Sequence, residues 1–269
     1  MAEEKMDIAV DTAESTQSPL SVIEIKEKYG VDVTDFDNVK DKIIMTVSGS
    51  QKPETADMAA ARPYKTIEDM TVFYAIALKE SPDGELVSIP ITKEILREWD
   101  ISPDEFVSIA DKEAPKNAPY TFQGMSQVLG LSSDDLGDDE PEIMFVVSNE
   151  SRCKGAGVIG YPDIFNEISD KLGGDFFVLP SSIHEFLVVV DNGDFKSCEL
   201  EDMVKDVNSS VVNPSDVLTD HAYHYDSKAM LFEEVHEYDS RKEQEATEKN
   251  KAETENDDQQ QTVRRHRGR

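Results

Sequence analysis

Two apolar runs constrain this chain more than any other feature. Phe176-Phe177-Val178-Leu179 and Phe186-Leu187-Val188-Val189-Val190 are separated only by the segment from Pro180 to Glu185. The second run is apolar at every position, as expected of a strand covered on both faces, so the pair reads as two strands with a tight connection. Amphipathic stripes flank them. Tyr161, Ile164, Phe165, Ile168 and Leu172 recur at helical spacing and stop at Gly173-Gly174, and Leu200, Met203, Val204 and Val207 mark a second helix. With strands at Ile143–Val147 and His221–Tyr225, the order is β-α-β-β-α-β. This predicts an α+β fold with a mixed or antiparallel sheet and packed helices, ferredoxin-like or a related split arrangement.

The N-terminal half carries a different pattern. Phe36, Val39, Ile43, Ile44 and Val47 share a stripe that predicts a helix over 37–47, and the Gly, Pro and small-residue stretch 48–62 reads as a loop. Asp69–Leu78 and Leu86–Ile91 read as a hairpin turning at Ser81-Pro82-Asp83-Gly84. Thr92 caps a short helix, Ser102 followed by Pro103 starts a longer one, and 122–129 reads as a further turn or two. The expected organisation is a mostly disordered acidic leader over 1–30, an α+β part over 31–131, an acidic linker or loop over 132–142, a second α+β part over 143–238, and a disordered charged tail over 239–269.

Charge narrows the function classes. The chain has 269 residues, with 27 Lys and Arg against 57 Asp and Glu, a net of −30. Direct gripping of nucleic-acid phosphates or of an anionic lipid surface needs clustered cations, and this balance argues against both. The excess is unevenly placed. Residues 226–269 hold 12 acids and 9 bases, leaving 45 acids and 18 bases, a net of −27, on residues 1–225. Asp134, Asp135, Asp138, Asp139 and Glu140 form the densest run and are the candidate contacts for a basic protein partner; the competing reading is a solvated face that aids solubility. The opening residues lack a basic region followed by an apolar one, and no apolar run approaches the ~20 residues of a membrane span, so a cytoplasmic protein without a membrane segment is expected. Cys153 and Cys198, the only cysteines, suit ordinary thiols in a reducing compartment.

Three constellations carry chemistry-bearing residue types. Ser182, His184 and Glu185 offer nucleophile, base and acid, but they are nearly consecutive, whereas hydrolytic triads converge from separate segments; a connection in which these groups fix the backbone is the competing reading. His184, His221 and His224 are the metal-ligand candidates, with Asp220 and Glu185 nearby. Two histidines three apart share a helix face but point to opposite faces of a strand, and Tyr223 and Tyr225 favour a strand. Gly155-Ala-Gly157-Val-Ile-Gly160 has the spacing of a dinucleotide fingerprint, but Pro162 follows it and strand succeeds strand downstream, so close packing is favoured and no cofactor is expected.

The string Leu179-Pro180-Ser181-Ser182-Ile183-His184-Glu185, with Gly155-Ala156, Tyr161-Pro162, Met203-Val204, Val207-Asn208, Pro214, Asp216-Val217-Leu218, Asp220 and 223–226, resembles bacterial domain-of-unknown-function family 5688. The stretches 35–42 and 69–78 are also similar to its pattern, so the likeness covers roughly residues 31–226. It implies a setting among gut Firmicutes, often near mobile elements, and implies no activity and no catalytic residue. The reading of the whole is a non-enzymatic, macromolecule-binding or accessory protein. The alternative is a hydrolase or metal-dependent enzyme using His184 with Ser182 or Glu185.

Overall fold

The computed structural model describes residues 7–11, 16–80, 86–131, 141–180, 182–249 and 251. It is α+β, with two six-stranded sheets among these residues. The segment expected to be a disordered leader instead contains β1 (Asp7–Asp11), β2 (Thr16–Ser21) and α1 (Val22–Tyr29). Few apolar residues are needed for this. Ile8 and Val10, two apart, both face the core, and Ile25 is buried on the helix. Ser21 and Glu24 close a reciprocal capping box at the helix start, and Gly30 ends it in the left-handed region.

The expected helix over 37–47 does not form. Two short 3-10 turns, Phe36–Asn38 and Lys40–Lys42, lead into β3 (Ile43–Gly49). The reason is tertiary: the apolar run pairs in unbroken register with a later strand, from Ile43 opposite Ile76 to Gly49 opposite Met70, and that pairing outweighs the helical stripe. The expected loop 48–62 holds α2 (Pro53–Ala61), which begins on a proline, and the buried Thr55 hydroxyl donates to the Gly49 carbonyl. β4 (Tyr64–Ile67), β5 (Met70–Glu80) and β6 (Leu86–Pro90) follow, and β5 pairs with β6 as the hairpin reading required. α3 (Lys93–Glu98) and α4 (Pro103–Asn117) start at the anticipated Thr92 and Ser102 caps. The first sheet runs β2-β1-β6-β5-β3, with β4 beside β5.

β7 (Tyr120–Gly124) and α5 (Met125–Val128) replace the expected turn or two. β7 pairs with β8 (Met144–Asn149), so the second sheet takes in residues from Tyr120 onward. After a 3-10 helix over Gly155–Gly160 come α6 (Ile164–Leu172), β9 (Phe176–Leu179), β10 (Phe186–Val190), α7 (Ser197–Ser210), β11 (Tyr223–Asp226) and β12 (Leu231–Glu234). The second sheet runs β12-β11-β9-β10-β8-β7 and is antiparallel throughout. Each helical crossover skips one strand, which is the split arrangement. A ferredoxin-like sheet, however, keeps the hairpin of its second and third strands at an edge, whereas the β9–β10 hairpin here is central. Residues 235–249 are helical, so the tail expected to be disordered from 239 begins as a docked helix.

One apolar core joins the sheets. Met45, Val72 and Tyr74 from the first meet Val147, Phe176, Phe186 and Tyr223 from the second. A second cluster lies on the other face of the second sheet, where Phe177, Leu179 and Val189 meet Leu200, Val204 and Val235. The uninterrupted apolar runs of β9 and β10 follow from this: alternate residues face two different cores.

The glycine-rich 3-10 helix is the wedge between the sheets, and all six of its residues are buried. A Cβ at Gly160 would lie 2.8 Å from Val72 and 2.9 Å from the Met45 sulfur, and one at Gly155 would lie 2.7 Å from the His184 carbonyl. The Gly-x-Gly-x-x-Gly spacing therefore serves close backbone packing.

Candidate functional site

The Ser182–Glu185 connection is built from backbone. Ser182 bridges Val217, the Ile183 amide donates to the Asp216 carbonyl, and the Ala156 amide donates to the Ile183 carbonyl. The Ser182 hydroxyl accepts from the backbone N–H of His184 at 3.2 Å, and the Ser148 hydroxyl donates to the His184 carbonyl at 2.8 Å. The imidazole is hydrogen-bonded on one nitrogen. Its Nδ1 accepts from the Lys154 N–H at 3.3 Å, and its Nε2 faces Asp216 Oδ2 at 3.7 Å. A nitrogen that accepts an N–H has its lone pair occupied, so Nδ1 is not free to take a proton from Ser182. Lys154 and Arg152 both hold left-handed backbone (φ 50° and 54°), which aims the Lys154 amide at the ring. Glu185 makes no hydrogen bond or ion pair among the described residues.

The three histidines do not converge; each meets its own carboxylates. His221 Nδ1 lies 2.9 Å from Glu234 and 3.3 Å from Glu201, and His236 Nε2 lies 2.9 Å from the other oxygen of Glu201. Glu201 is buried on α7. Burial alone would raise its carboxyl, but His236, Lys205 and His221 outweigh burial and lower it. His224 is wholly buried. Its Nε2 sits 3.0 Å from Asp191 Oδ2, and its ring stacks on Tyr238 at 3.7 Å between centroids. Burial lowers its proton affinity despite the opposing pull of Asp191. Among the described residues, no group of three or more His, Cys, Asp or Glu side chains is arranged to hold a metal ion. Spacing alone could not reveal Asp216, Glu201, Glu234, Asp191 or Tyr238 as partners, because strand order, not sequence proximity, brings most of them to the histidines.

A charged cluster pins the C-terminal helix. Arg241 donates to Glu233 at 2.6 and 2.9 Å, to Asp226 at 3.1 Å and to Glu245 at 2.9 Å. Lys242 reaches Asp226 at 3.2 Å. Burial would raise the Asp226 carboxyl, but the Ala229 amide, Arg241 and Lys242 together hold it well below the usual range. A second cluster ties the sheets: the buried Tyr223 hydroxyl donates to Asp69, which also accepts from Thr219 at 2.7 Å.

The acidic candidates Asp134, Asp135, Asp138, Asp139 and Glu140 lie outside the described residues. No helix among the described residues is long and apolar enough to cross a membrane. Neither a curated protein nor a solved structure matches the chain. A family model described as "Family of unknown function (DUF5688)" matches residues 3–227, taking in the first sheet, the second sheet as far as β11, and the β1–β2 pair that the sequence pattern left out, and the chain therefore belongs to that family.

Proposed function

We propose that this protein is a non-enzymatic accessory of the bacterial cytoplasm that acts by docking on a basic protein. The observation that carries this reading is the placement of charge. A net of −27 falls on residues 1–225, which hold the first sheet and, apart from Asp226 and β12, the second, rather than on the nearly balanced remainder. Carboxylates held on a packed framework present a fixed negative field, which steers and selects a cationic partner. The run at 134–140 is part of that excess.

The test is retrieval of partners by tagged full-length protein at low salt, followed by stepwise elution with salt. Partners of high pI that are released within a few hundred millimolar salt, roughly where charge pairs at a surface are screened, are the expected outcome. Retrieval of nothing, or of partners indifferent to salt, would overturn the reading.

A second reading draws on Asp216 beside the His184 ring: hydrolysis or metal-dependent chemistry at His184 with Ser182 or Glu185. It requires the Ser182 hydroxyl to leave the His184 amide and the imidazole to leave Lys154. An esterase activity lost in both Ser182→Ala and His184→Ala would establish it.

A further inference from the structure

A cleft of about 570 Å³ opens where the two halves of the chain meet, between the end of α4, the start of β7 and the exposed side of α6. Its volume falls in the range of ligand-sized sites. Three prolines and two aromatic rings form its walls: Pro115, Pro119, Pro162, Tyr120 and Tyr161. These are stiff groups. The proline rings have fixed backbone angles, Tyr161 is tied by its hydroxyl to the Ala118 carbonyl at 2.6 Å, and Tyr120 is held between two charged residues. A site whose walls are already immobile loses little entropy when filled.

The polar groups of the cleft lean to one sign. Glu167 accepts the Tyr120 hydroxyl at 2.9 Å through one carboxylate oxygen. Asp170, one helical turn along, is exposed and makes no hydrogen bond or ion pair among the described residues. Lys171 is the only cation in the lining, so the cleft carries two acids and one base. The Lys171 ammonium already uses the aromatic wall as a cation site: it lies 4.4 Å from the Tyr120 ring centre and 5.3 Å from that of Phe122. Burial and Glu167 push the Tyr120 phenol up to about 12, so it stays protonated and neutral beside its cation.

We infer that this cleft receives an arginine side chain from an extended basic segment of the partner protein. The inference rests on the basic-partner reading above and gives it a location. A guanidinium is flat and weakly hydrated, so it stacks on tyrosine and proline faces while its N–H groups reach a carboxylate such as that of Asp170; a lysine ammonium is compact and strongly hydrated and gains less there. The unpaired carboxylate supplies the charge complement, and Lys171 stands where the incoming cation would stack.

The test uses full-length protein and a fluorescein-labelled peptide in which three arginines alternate with serines, read by anisotropy at low salt. A lysine version of the peptide serves as comparison. The arginine peptide binds at least about threefold more tightly than the lysine peptide, and Asp170→Asn weakens it by about tenfold, while Asp202→Asn, the same charge change on α7, costs less than about twofold. Lys171→Met, which keeps the apolar stem and removes the competing ammonium, tightens binding by about threefold. Equal losses in Asp170→Asn and Asp202→Asn would overturn the cleft and leave general charge docking intact. Failure of the unaltered protein to bind either peptide would remove both readings. Binding that emerges only when Arg264, Arg265, Arg267 and Arg269 are all replaced by Gln would make the chain's own end the occupant and overturn the partner assignment.

Discussion

Gly157 lies against the backbone of Met45 across the seam between the two sheets, so closely that a Cβ on Gly157 would stand 2.6 Å from the Met45 carbonyl carbon and 2.9 Å from the Thr46 Cα. Backbone cannot yield as a flexible side-chain tip can. Gly157→Ala therefore has to part β3 from the 3-10 helix, and overpacking of this kind costs about 3 kcal/mol. Gly174→Ala meets nothing within 4 Å and serves as the control. Denaturant unfolding of the two variants should separate them by several-fold in the loss of stability; equal losses would mean that the sheets do not meet through these glycines.

Tyr223 and Asp69 make the polar counterpart of that contact. They lie 154 residues apart, and Asp69 accepts from both Tyr223 and Thr219. Tyr223→Phe keeps the ring in the core and removes only the hydroxyl, leaving a partly buried carboxylate with one donor fewer. A loss of about 1–2 kcal/mol is expected, with the fold retained by circular dichroism. An unchanged midpoint would show that the pair contributes nothing to holding the halves together.

Arg241 is the cation on which Asp226 and Glu233 both depend, and those carboxylates are 4 % and 6 % exposed. Arg241→Met removes the cation of Glu233 and leaves Asp226 with Lys242 and the Ala229 amide. Because the guanidinium itself is partly exposed, the expected cost is about 2 kcal/mol, below that of a fully buried pair. The sign with pH follows from Asp226. Its folded proton affinity is depressed, so its contribution is present above the ordinary carboxylate value of 3.8 and is lost as the pH falls below it. The acid limb of the stability curve should flatten in Arg241→Met. Limited proteolysis should also cut residues 235–249 sooner in the variant.

His224 gives a separate pH signature nearer neutrality. Asp191, Asp175, Asp226 and Tyr238 surround it, yet burial wins and its folded proton affinity falls below the ordinary value of 6.5. The unfolded chain therefore binds the proton more readily. Stability from this group is full above about 6.5 and is lost as the pH falls below it. His224→Gln, which retains an N–H donor for Asp191, should remove that slope. A slope that survives the substitution would show that His224 is not its source.

What was legible in the sequence was local. The Thr92 and Ser102 caps, the β5–β6 hairpin, the α6 stripe with its glycine stop and the two apolar strands all follow from side chains within a few residues of one another. What was misread was decided at long range. The stripe Phe36–Val47 suits a helix until β5 offers Ile43–Gly49 a full register of partners. The sparse apolar residues of β1 and α1 become a strand and a helix only because a core is waiting for Ile8, Val10 and Ile25. The Gly-x-Gly-x-x-Gly spacing, which Pro162 and the strand order already set apart from a dinucleotide loop, records close packing whose partners, Met45 and Val72, only the fold reveals. The site follows the same division. Ser182 and His184 are adjacent in sequence, but what each bonds to depends on Lys154, Ser148 and Asp216, which sheet order delivers. The sequence by itself determined the α+β class, the caps and the acidic excess, because these rest on composition and on periodicity within one element. Only the tertiary structure decided which strands pair, where each histidine finds its carboxylate and where the proline-walled cleft opens, because those depend on surfaces meeting across distances that no local spacing encodes.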